Sequence, residues 1–306
     1  MKKTESKGAT KKISEKNIIQ KVKAVTPEFK TSFPALANNP NKWTNRLVIS
    51  TPTLGMVRME WVQARFGQTI PTNFSLVDVH QFMSSYAPVA FQVADAENLT
   101  AKVVVEGNFD WFLSWEDDNL PPLDALVKVN EYIIKRDTPI VSGLYFTKSV
   151  PPEPILYRGM GTGYYADWKM GEKVWVDGVP FGFNLIHGDI IRALWNESPE
   201  YIVNGTVTRR VFDSSSESYV DPDTGGWMNS SGTSDLAWCK RIMKDNIFEK
   251  AGWPEYQKKE YPFLVDTSIF VRHIDRKTGV QYPTHLPKAF LEGKITFRDA
   301  LKILTA

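Results

Sequence analysis

The chain has 306 residues, of which 42% are hydrophobic and 24% are charged, and its net charge is only +2. This composition is typical of a soluble globular protein. No apolar run approaches the ~20 residues that a membrane span requires, and we expect no signal peptide because the N-terminal residues are lysine-rich. The single cysteine, Cys239, excludes a disulfide framework and a multi-cysteine zinc site. It fits a reducing compartment, so a cytoplasmic location is expected.

The charge is unevenly distributed along the chain. Residues 1–30 contain nine lysines and three glutamates, a net charge of +6, which leaves −4 for residues 31–306 of a chain whose total is +2. Low hydrophobicity and few aromatic side chains predict a disordered extension over residues 1–43. Such a segment is either a solubilising tail or a peripheral contact with an anionic membrane or partner. The mildly acidic remainder argues against a nucleic acid as the main ligand.

After this extension, short apolar runs alternate with helical patterns. Strands are predicted over residues 46–51, 74–79, 111–115 and 139–146. Helices are predicted between them over residues 57–66, 95–106 and 121–134, and the Asp95 side chain is expected to cap the second of them. This alternation indicates the α/β class, with a mostly parallel central sheet flanked by helices. Ligands bind such sheets beyond the carboxyl ends of the strands.

The second half of the chain is less regular. Strands are predicted over residues 154–158, 173–176 and 263–275, helices over 235–246 and 287–304, and a strand followed by a helix over 179–194. Residues 199–233 are polar and rich in serine, glycine and aspartate, which predicts a long functional or mobile loop. We therefore expect one main domain over residues 44–280 and a C-terminal helical extension over residues 281–306.

Three adjacent acids follow the strand over residues 111–115, in the stretch FLSWEDDN. Glu116, Asp117 and Asp118 repel one another unless a cation compensates their charge. One interpretation is a solvated turn or a helix cap, and the other is a cation site. His273 lies at the end of a later predicted strand, so an imidazole can meet the Asp118 carboxylate on Mn²⁺ or Mg²⁺. Such an ion completes its shell with phosphate oxygens, which implies a diphosphate ligand.

Asp235 lies in the stretch GTSDLAWCKRI, at the start of a predicted helix. Aspartate and serine are both good helix caps, so Asp235 or Ser234 can serve only to begin the helix. The functional interpretation is a general base at the helix N-terminus, next to the polar loop. The residues alone leave both interpretations open.

Several stretches resemble family 2-type glycosyltransferases. ISTPTLG and GQTIP, followed by FSLVDV, are similar to the opening of that family, and FLSWEDDN is similar to its DxD motif. VPFGFNLIHGDIIRAL resembles the acceptor-side strand and helix, and SDLAWCKR resembles the "ED" helix. The resemblance covers residues 45–275, and the acid motif is its most specific part. It implies a Rossmann-like nucleotide-diphospho-sugar transferase fold.

The resemblance also implies roles for single residues. Asp118 and His273 would hold the metal ion, and Asp235 would be the base of an inverting transfer. If Asp235 only caps its helix, a retaining mechanism becomes possible. Contacts with the nucleotide-diphospho-sugar would come from Thr51, Pro52, Asp78, Asn98, Glu116 and Asp117.

The chain departs from the family pattern at four positions. The second strand ends in Val-Asp78-Val-His instead of Asp-Asp-Gly-Ser, and Glu97-Asn98 replaces an Arg-Asn pair. Ser234 replaces the glutamate of the "ED" pair. Glu116 replaces the first aspartate of the DxD motif, and its longer side chain can reach a ribose or a metal-bound water.

The sequence therefore predicts a metal-dependent glycosyltransferase that moves a sugar from a nucleotide-diphospho-sugar to the hydroxyl of a saccharide or another acceptor. One alternative is a sugar nucleotidyltransferase, which would need a glycine-rich phosphate loop where TPTLGMVR has one glycine. Another is a non-catalytic carbohydrate-binding protein, which ten tryptophans and eleven tyrosines would suit.

Overall fold

The computed structural model of the protein describes residues 45–71, 86–159, 163–213, 216–220, 227–231 and 233–305. The extension predicted over residues 1–43 and the strand predicted over residues 74–79 lie outside these ranges. Within them, no helix is long and apolar enough to cross a membrane.

Short strands and helices alternate through the described part of the chain. Strands β1 to β13 lie at Leu47–Ser50, Trp111–Trp115, Asn119–Leu120, Ile140–Leu144, Lys173–Val176, Phe183–His187, Glu200–Val203, Thr206–Arg209, Ser216–Val220, Trp227–Ser231, Phe263–Phe270, Arg272–Ile274 and Gln281–Tyr282. Helices α1 to α9 lie at Met59–Phe66, Val93–Glu106, Ala125–Lys135, Gly188–Glu197, Ser234–Lys244, Ile247–Lys250, Pro254–Gln257, Lys288–Leu291 and Phe297–Thr305.

Six strands form the central sheet, in the order β1-β2-β6-β4-β11-β5. Strands β1, β2, β4 and β11 run in one direction, whereas β6 and β5 run in the other. The sheet is therefore mostly parallel. Because helices cover both of its faces, the predicted α/β class is confirmed.

The aromatic strand β2 divides the core into two layers. Successive side chains of a strand point to opposite faces of a sheet. Phe112 accordingly packs in the layer that contains α2, α4 and α5. Trp111, Leu113 and Trp115 pack in the layer that contains α1 and α3. All four side chains are buried, so the apolar sequence of β2 follows from its position between two helical layers.

Helix α2 begins at Val93, two residues before the predicted start at Asp95. The expected capping role of Asp95 is therefore wrong. Its carboxylate instead accepts a hydrogen bond from Tyr201 Oη at 2.8 Å, so the Asp95 side chain binds a residue distant in sequence and not the helix N-terminus.

The long loop predicted over residues 199–233 is also wrong, because its described residues form two antiparallel hairpins, β7-β8 and β9-β10. The turn of the first hairpin is Asn204-Gly205, with φ angles of 44° and 80°. Asn-Gly is the preferred pair for a two-residue hairpin turn because both positions need positive φ. The sequence therefore contained the signal for this hairpin.

The C-terminal helices pack against the main core. Phe297 stacks on Trp168 with ring centroids 5.6 Å apart, and Phe290 meets the same indole at 5.3 Å. Both phenylalanines are fully buried. Residues 288–305 therefore share one hydrophobic core with the sheet.

Candidate active site

The three acids follow directly after β2, at the carboxyl end of a central parallel strand. Two indole N–H groups hold this turn, since Trp61 Nε1 donates to Glu116 O at 2.9 Å and Trp115 Nε1 donates to Asn119 O at 3.0 Å. The Glu116 N–H donates to Gly182 O at 3.0 Å, just before β6. The two tryptophans thus pack in the core and also hold the turn. Their hydrogen bonds, together with that to Gly182, fix the backbone of the three acids between α1 and β6.

Asp118 lies beside His273, as the sequence predicted, but a small second sheet is the reason. Strand β3 pairs with β12 so that Asn119 faces His273, and Ile274 N donates to Asp118 O at 2.8 Å. The sequence predicts instead that both residues lie at strand ends of one sheet. The resulting distance from Asp118 Oδ2 to His273 Nε2 is 3.3 Å.

The Asp118 carboxylate is held by cations and hydrogen-bond donors. Lys148 Nζ donates to Oδ2 at 2.9 Å, and Asn119 Nδ2 donates to Oδ1 at 3.1 Å. Burial alone would raise the pKa of Asp118, but His273 and Lys148 outweigh it and hold that pKa well below its usual value. Asp118 is therefore ionised at any physiological pH.

The hydrogen bonds of His273 fix its tautomer. Nδ1 lies 3.1 Å from the Phe146 carbonyl oxygen, which can only accept, so Nδ1 carries a proton. In the neutral ring, the Nε2 lone pair then faces the Asp118 carboxylate across 3.3 Å. Two electron-rich atoms at this distance repel unless a proton or a metal ion lies between them. A backbone carbonyl that orients the other ring nitrogen is also the usual support of a metal-binding histidine.

Asp117 has a cationic partner of its own. Its side chain is fully buried and forms an ion pair with Arg276 Nη2, which also lies 3.7 Å from Asp118 Oδ2. Neither carboxylate oxygen of Asp117 has a partner with hydrogen-bond geometry among the described residues. Arg276 therefore compensates the charge of Asp117 by proximity and adds a second cationic side chain, after Lys148, to this end of β2.

A pocket of about 310 Å³ opens beside Glu116 of the acid turn. Glu116 from the turn, Asp235 from α5 and Glu97 from α2 bring three carboxyl groups to it. The remaining described lining residues are Val93, Phe181, Thr233 and Ser234. Asp235 lies in the first turn of α5, whose N-cap is Thr233, so its interpretation as the N-cap is wrong.

Burial raises the pKa of each carboxyl group in this pocket. For Glu97, burial and then the charges of Glu116 and Asp235 raise the pKa well above its usual value. Burial, followed by the charges of Asp118 and Asp235, raises the pKa of Glu116 to about 8. Burial also raises the pKa of Asp235. These groups bind protons more tightly than ordinary carboxylates, which suits acid–base chemistry near neutral pH.

The residues predicted to contact a nucleotide occupy different environments. Thr51 follows β1, and the pairing of Ser50 with Ser114 places it at the same sheet edge as the acid turn. Its hydroxyl is buried and has no hydrogen-bond partner among the described residues. Pro52 follows it, and Asp78 lies outside the described residues.

Asn98 does not line the acid pocket. Its Nδ2 donates to Tyr201 Oη at 2.7 Å and to Phe212 O at 2.9 Å, and its Oδ1 accepts from Phe212 N at 2.8 Å. The amide thus anchors the segment after β8, and any nucleotide contact stays a prediction. The neighbouring Glu97 faces the acid pocket instead.

Several residues of the site were not predicted. Lys148 lies four residues after β4, and Arg276 lies two residues after β12. Both are basic residues that closely follow a strand, and this position is the signal by which the sequence could have indicated cations near the acid turn. Tyr145 Oη accepts a hydrogen bond from Gly182 N at 2.7 Å, and burial, then the charge of Glu116, raises the pKa of this tyrosine. Nothing local in the sequence marks Tyr145.

The donor atoms around Asp118 determine whether a metal ion fits there. Among the described residues, no group of three or more His, Cys, Asp or Glu side chains could hold a metal ion. Asp118 and His273 offer one hard oxygen and one imidazole nitrogen, the donor types that Mn²⁺ and Mg²⁺ accept when phosphate and water complete their shells. The two residues fit an ion that a diphosphate ligand helps to hold.

No protein-family model and no curated protein matches the chain. Among solved structures, the chain is similar to A197 from STIV, with 14% sequence identity and a TM-score of 0.43. The similarity covers 78% of this chain and 92% of that one. A likeness at this level carries no argument about activity.

Proposed function

We propose that the protein is a metal-dependent glycosyltransferase, which moves a sugar from a nucleotide-diphospho-sugar to an acceptor hydroxyl with inversion. The observation that supports this proposal is the acid turn after β2, whose acids lie in two different charge environments. Asp118 lies among His273, Lys148 and Arg276. Glu116 shares a pocket with Asp235. A group that compensates the charge of a diphosphate and a group that accepts a proton would therefore lie close together, as sugar transfer from a diphosphate requires.

The cationic side of the turn would bind the diphosphate. Asp118 and His273 would hold Mn²⁺ or Mg²⁺, and the bound ion would supply charge neutralisation for the departing diphosphate. Lys148 and Arg276 already lie at this end of β2, with exposed fractions of 31% and 42% for their side chains. They can therefore turn from the acids towards phosphate oxygens without leaving the site.

The acidic pocket would perform the proton transfer. Asp235 accepts the proton of the acceptor hydroxyl while the hydroxyl oxygen forms a bond to the anomeric carbon. The bond from that carbon to the diphosphate oxygen breaks on the opposite face, so the configuration inverts. Burial raises the pKa of Asp235, which makes this carboxylate a stronger base than an exposed aspartate.

The decisive experiment is a screen of UDP- and GDP-sugars for release of the nucleoside diphosphate, with Mn²⁺ or with EDTA. We expect metal-dependent release from at least one donor, which should increase when a suitable acceptor is added. A carbohydrate-binding protein would release no nucleoside diphosphate under either condition. A sugar nucleotidyltransferase would instead release pyrophosphate from a nucleoside triphosphate and a sugar phosphate.

A further inference from the structure

Glu97 is a buried acid that the proposed reaction does not use. It lies on α2, its exposed fraction is 4%, and it lines the acid pocket. One of its oxygens, Oε2, is fully buried and has no hydrogen-bond partner among the described residues. Ser234 hydrogen-bonds to the carboxyl group. A buried acceptor without a partner costs stability, which indicates that a ligand supplies the missing hydrogen-bond donor.

The surroundings of Glu97 define the charge of that ligand. Glu116 and Asp235 line the same pocket, whereas its other described lining residues are two hydroxyl side chains and two apolar ones. Lys148 and Arg276 pair with Asp118 and Asp117, and they are not among these lining residues. The pocket therefore presents three acids without a basic lining residue in the described part of the chain.

We propose that Glu97, together with Glu116 and Asp235, binds a protonated amine, and that the substrate is an amino sugar; this inference rests on the proposed transferase function. An ammonium group offers three N–H donors and a positive charge, so it supplies the partner that Glu97 lacks and stabilises the ionised form of the surrounding carboxyl groups. A sugar hydroxyl offers one donor and no charge. Val93 and Phe181 supply apolar surface for the ring carbons.

The test compares glucosamine, glucose and N-acetylglucosamine as probes of the full chain, with binding measured by ligand-observed NMR at pH 7. We expect glucosamine to bind about tenfold more tightly than glucose, because hydrogen bonds between charged groups are stronger than neutral ones. N-acetylglucosamine, whose nitrogen is uncharged, should bind no better than glucose. Equal affinities for glucosamine and glucose in the unmodified protein would overturn the proposal without any variant.

Two variants on the same helix assign the preference to Glu97. Glu97→Gln keeps the side-chain shape but cannot ionise, and it should abolish the preference for glucosamine. Glu106→Gln changes an exposed residue of α2 that pairs with Lys102, so the preference should persist. A folded Glu97→Gln protein that still prefers glucosamine would show that another site binds the amine, and the proposal would be wrong.

A parallel titration separates this inference from the proposed function. Binding of UDP and GDP is measured on the same samples, with Mn²⁺ and with EDTA. Metal-dependent nucleotide binding without a preference for glucosamine would overturn the amine site alone. Loss of both results would overturn the transferase proposal as well. Both results together support the two proposals.

Discussion

At the scale of single residues, Asp118 and Asp235 differ in what surrounds them. Asp118 lies among cations that lower its pKa, and burial raises the pKa of Asp235. We predict that Asp118→Asn weakens both Mn²⁺-dependent nucleotide binding and turnover. Asp235→Asn should keep nucleotide affinity and lower turnover by ~10²–10⁴-fold, the usual contribution of a general base. Calorimetry and single-turnover kinetics give the two quantities.

The asparagine substitution suits this test because it keeps the shape of the side chain and the oxygen that accepts from Leu236 N at 2.8 Å. A loss of helix stability therefore cannot imitate a loss of the base. If Asp235→Asn binds the donor normally and transfers sugar at the unmodified rate, Asp235 is not the base, and the inverting mechanism is wrong.

Lys148 shares the Asp118 oxygen that faces His273, since Nζ lies 2.9 Å from Oδ2. A metal ion at this oxygen must compete with the ammonium group. We predict that Lys148→Met raises the affinity for Mn²⁺ without nucleotide by up to about fivefold, because a partly exposed ion pair is worth at most ~1 kcal/mol. The same change should weaken nucleotide binding, since the diphosphate loses a cationic partner.

Manganese titration monitored by electron paramagnetic resonance measures the metal affinity directly. Lys288→Met is the matched control, because the Lys288 side chain is 89% exposed and lies on α8. Weaker Mn²⁺ binding by Lys148→Met than by the control would show that Lys148 supports the metal site instead of competing for it.

The raised pKa of Glu97 has a consequence for stability. The folded protein binds this proton more tightly than the unfolded chain, so the contribution to stability is favourable below the unfolded pKa and is lost as pH rises through the folded pKa. We predict that Glu97→Gln has the Tm of the unmodified protein at pH 4. At pH 8 its Tm should be higher than that of the unmodified protein, because glutamine carries no buried charge there.

Differential scanning calorimetry across this pH range provides the measurement. Glu106→Gln, an exposed change on the same helix, should show no such pH-dependent gain. A Glu97→Gln protein with a Tm at pH 8 equal to or below that of the unmodified protein would contradict the raised pKa.

The contacts of Asp118 and Glu97 show what sequence can and cannot reveal about the site. An unusual run of acids after an apolar strand predicted a charged site, and the structure places His273 beside it. Glu97 lies in a helix that contains both apolar and polar residues, so the local sequence gives no sign that its side chain is buried. The partnership of Arg276 with Asp117 depends on pairing between β3 and β12, which local sequence does not specify.

At the scale of elements, Gly182 determines how closely β6 approaches the acid turn. A Cβ atom at this position would lie 2.6 Å from Tyr145 Oη and 2.7 Å from Asn119 Nδ2. We predict that Gly182→Ala destabilises the protein by ~1–3 kcal/mol, the usual cost of overpacking. Because Gly182 O accepts from Glu116 N, nucleotide affinity should fall as well.

Urea denaturation of Gly182→Ala measures the change in the free energy of unfolding. Gly163→Ala is the control, since a Cβ atom there meets nothing within 4 Å. Equal stability of the two variants would show that the neighbours of Gly182 relax at little cost.

The elements that were predicted well are those that local patterns determine. Strands β2 and β5 match their predicted residues because each is a short apolar run with a clear end. The direction of β5 and β6 was missed, since it depends on which strands become neighbours after folding. The β7-β8 hairpin was missed for a different reason. Its Asn-Gly turn pair is visible in the sequence, but the whole stretch over residues 199–233 is rich in polar residues, which predicted a loop.

At the scale of the whole molecule, the charge is separated between a basic N-terminal segment and a mildly acidic remainder. Residues 1–30 carry a net +6 and residues 31–306 a net −4. Each lysine near an anionic membrane contributes about 1 kcal/mol of attraction, and salt screens this attraction beyond about 10 Å at 0.1 M. The segment can therefore hold the protein at a charged surface while the acid turn and its pocket lie in the remainder of the chain.

We predict that deletion of residues 1–43 abolishes co-sedimentation with phosphatidylserine vesicles at low salt and leaves Mn²⁺-dependent nucleotide affinity unchanged. Phosphatidylcholine vesicles are the control, and they should bind neither the full chain nor the truncated one. Binding of the full chain should decrease as salt is added, because the attraction is electrostatic. If the truncated protein sediments with the anionic vesicles as well as the full chain does, the membrane contact lies elsewhere on the molecule. If truncation lowers nucleotide affinity, residues 1–43 contribute to the active site.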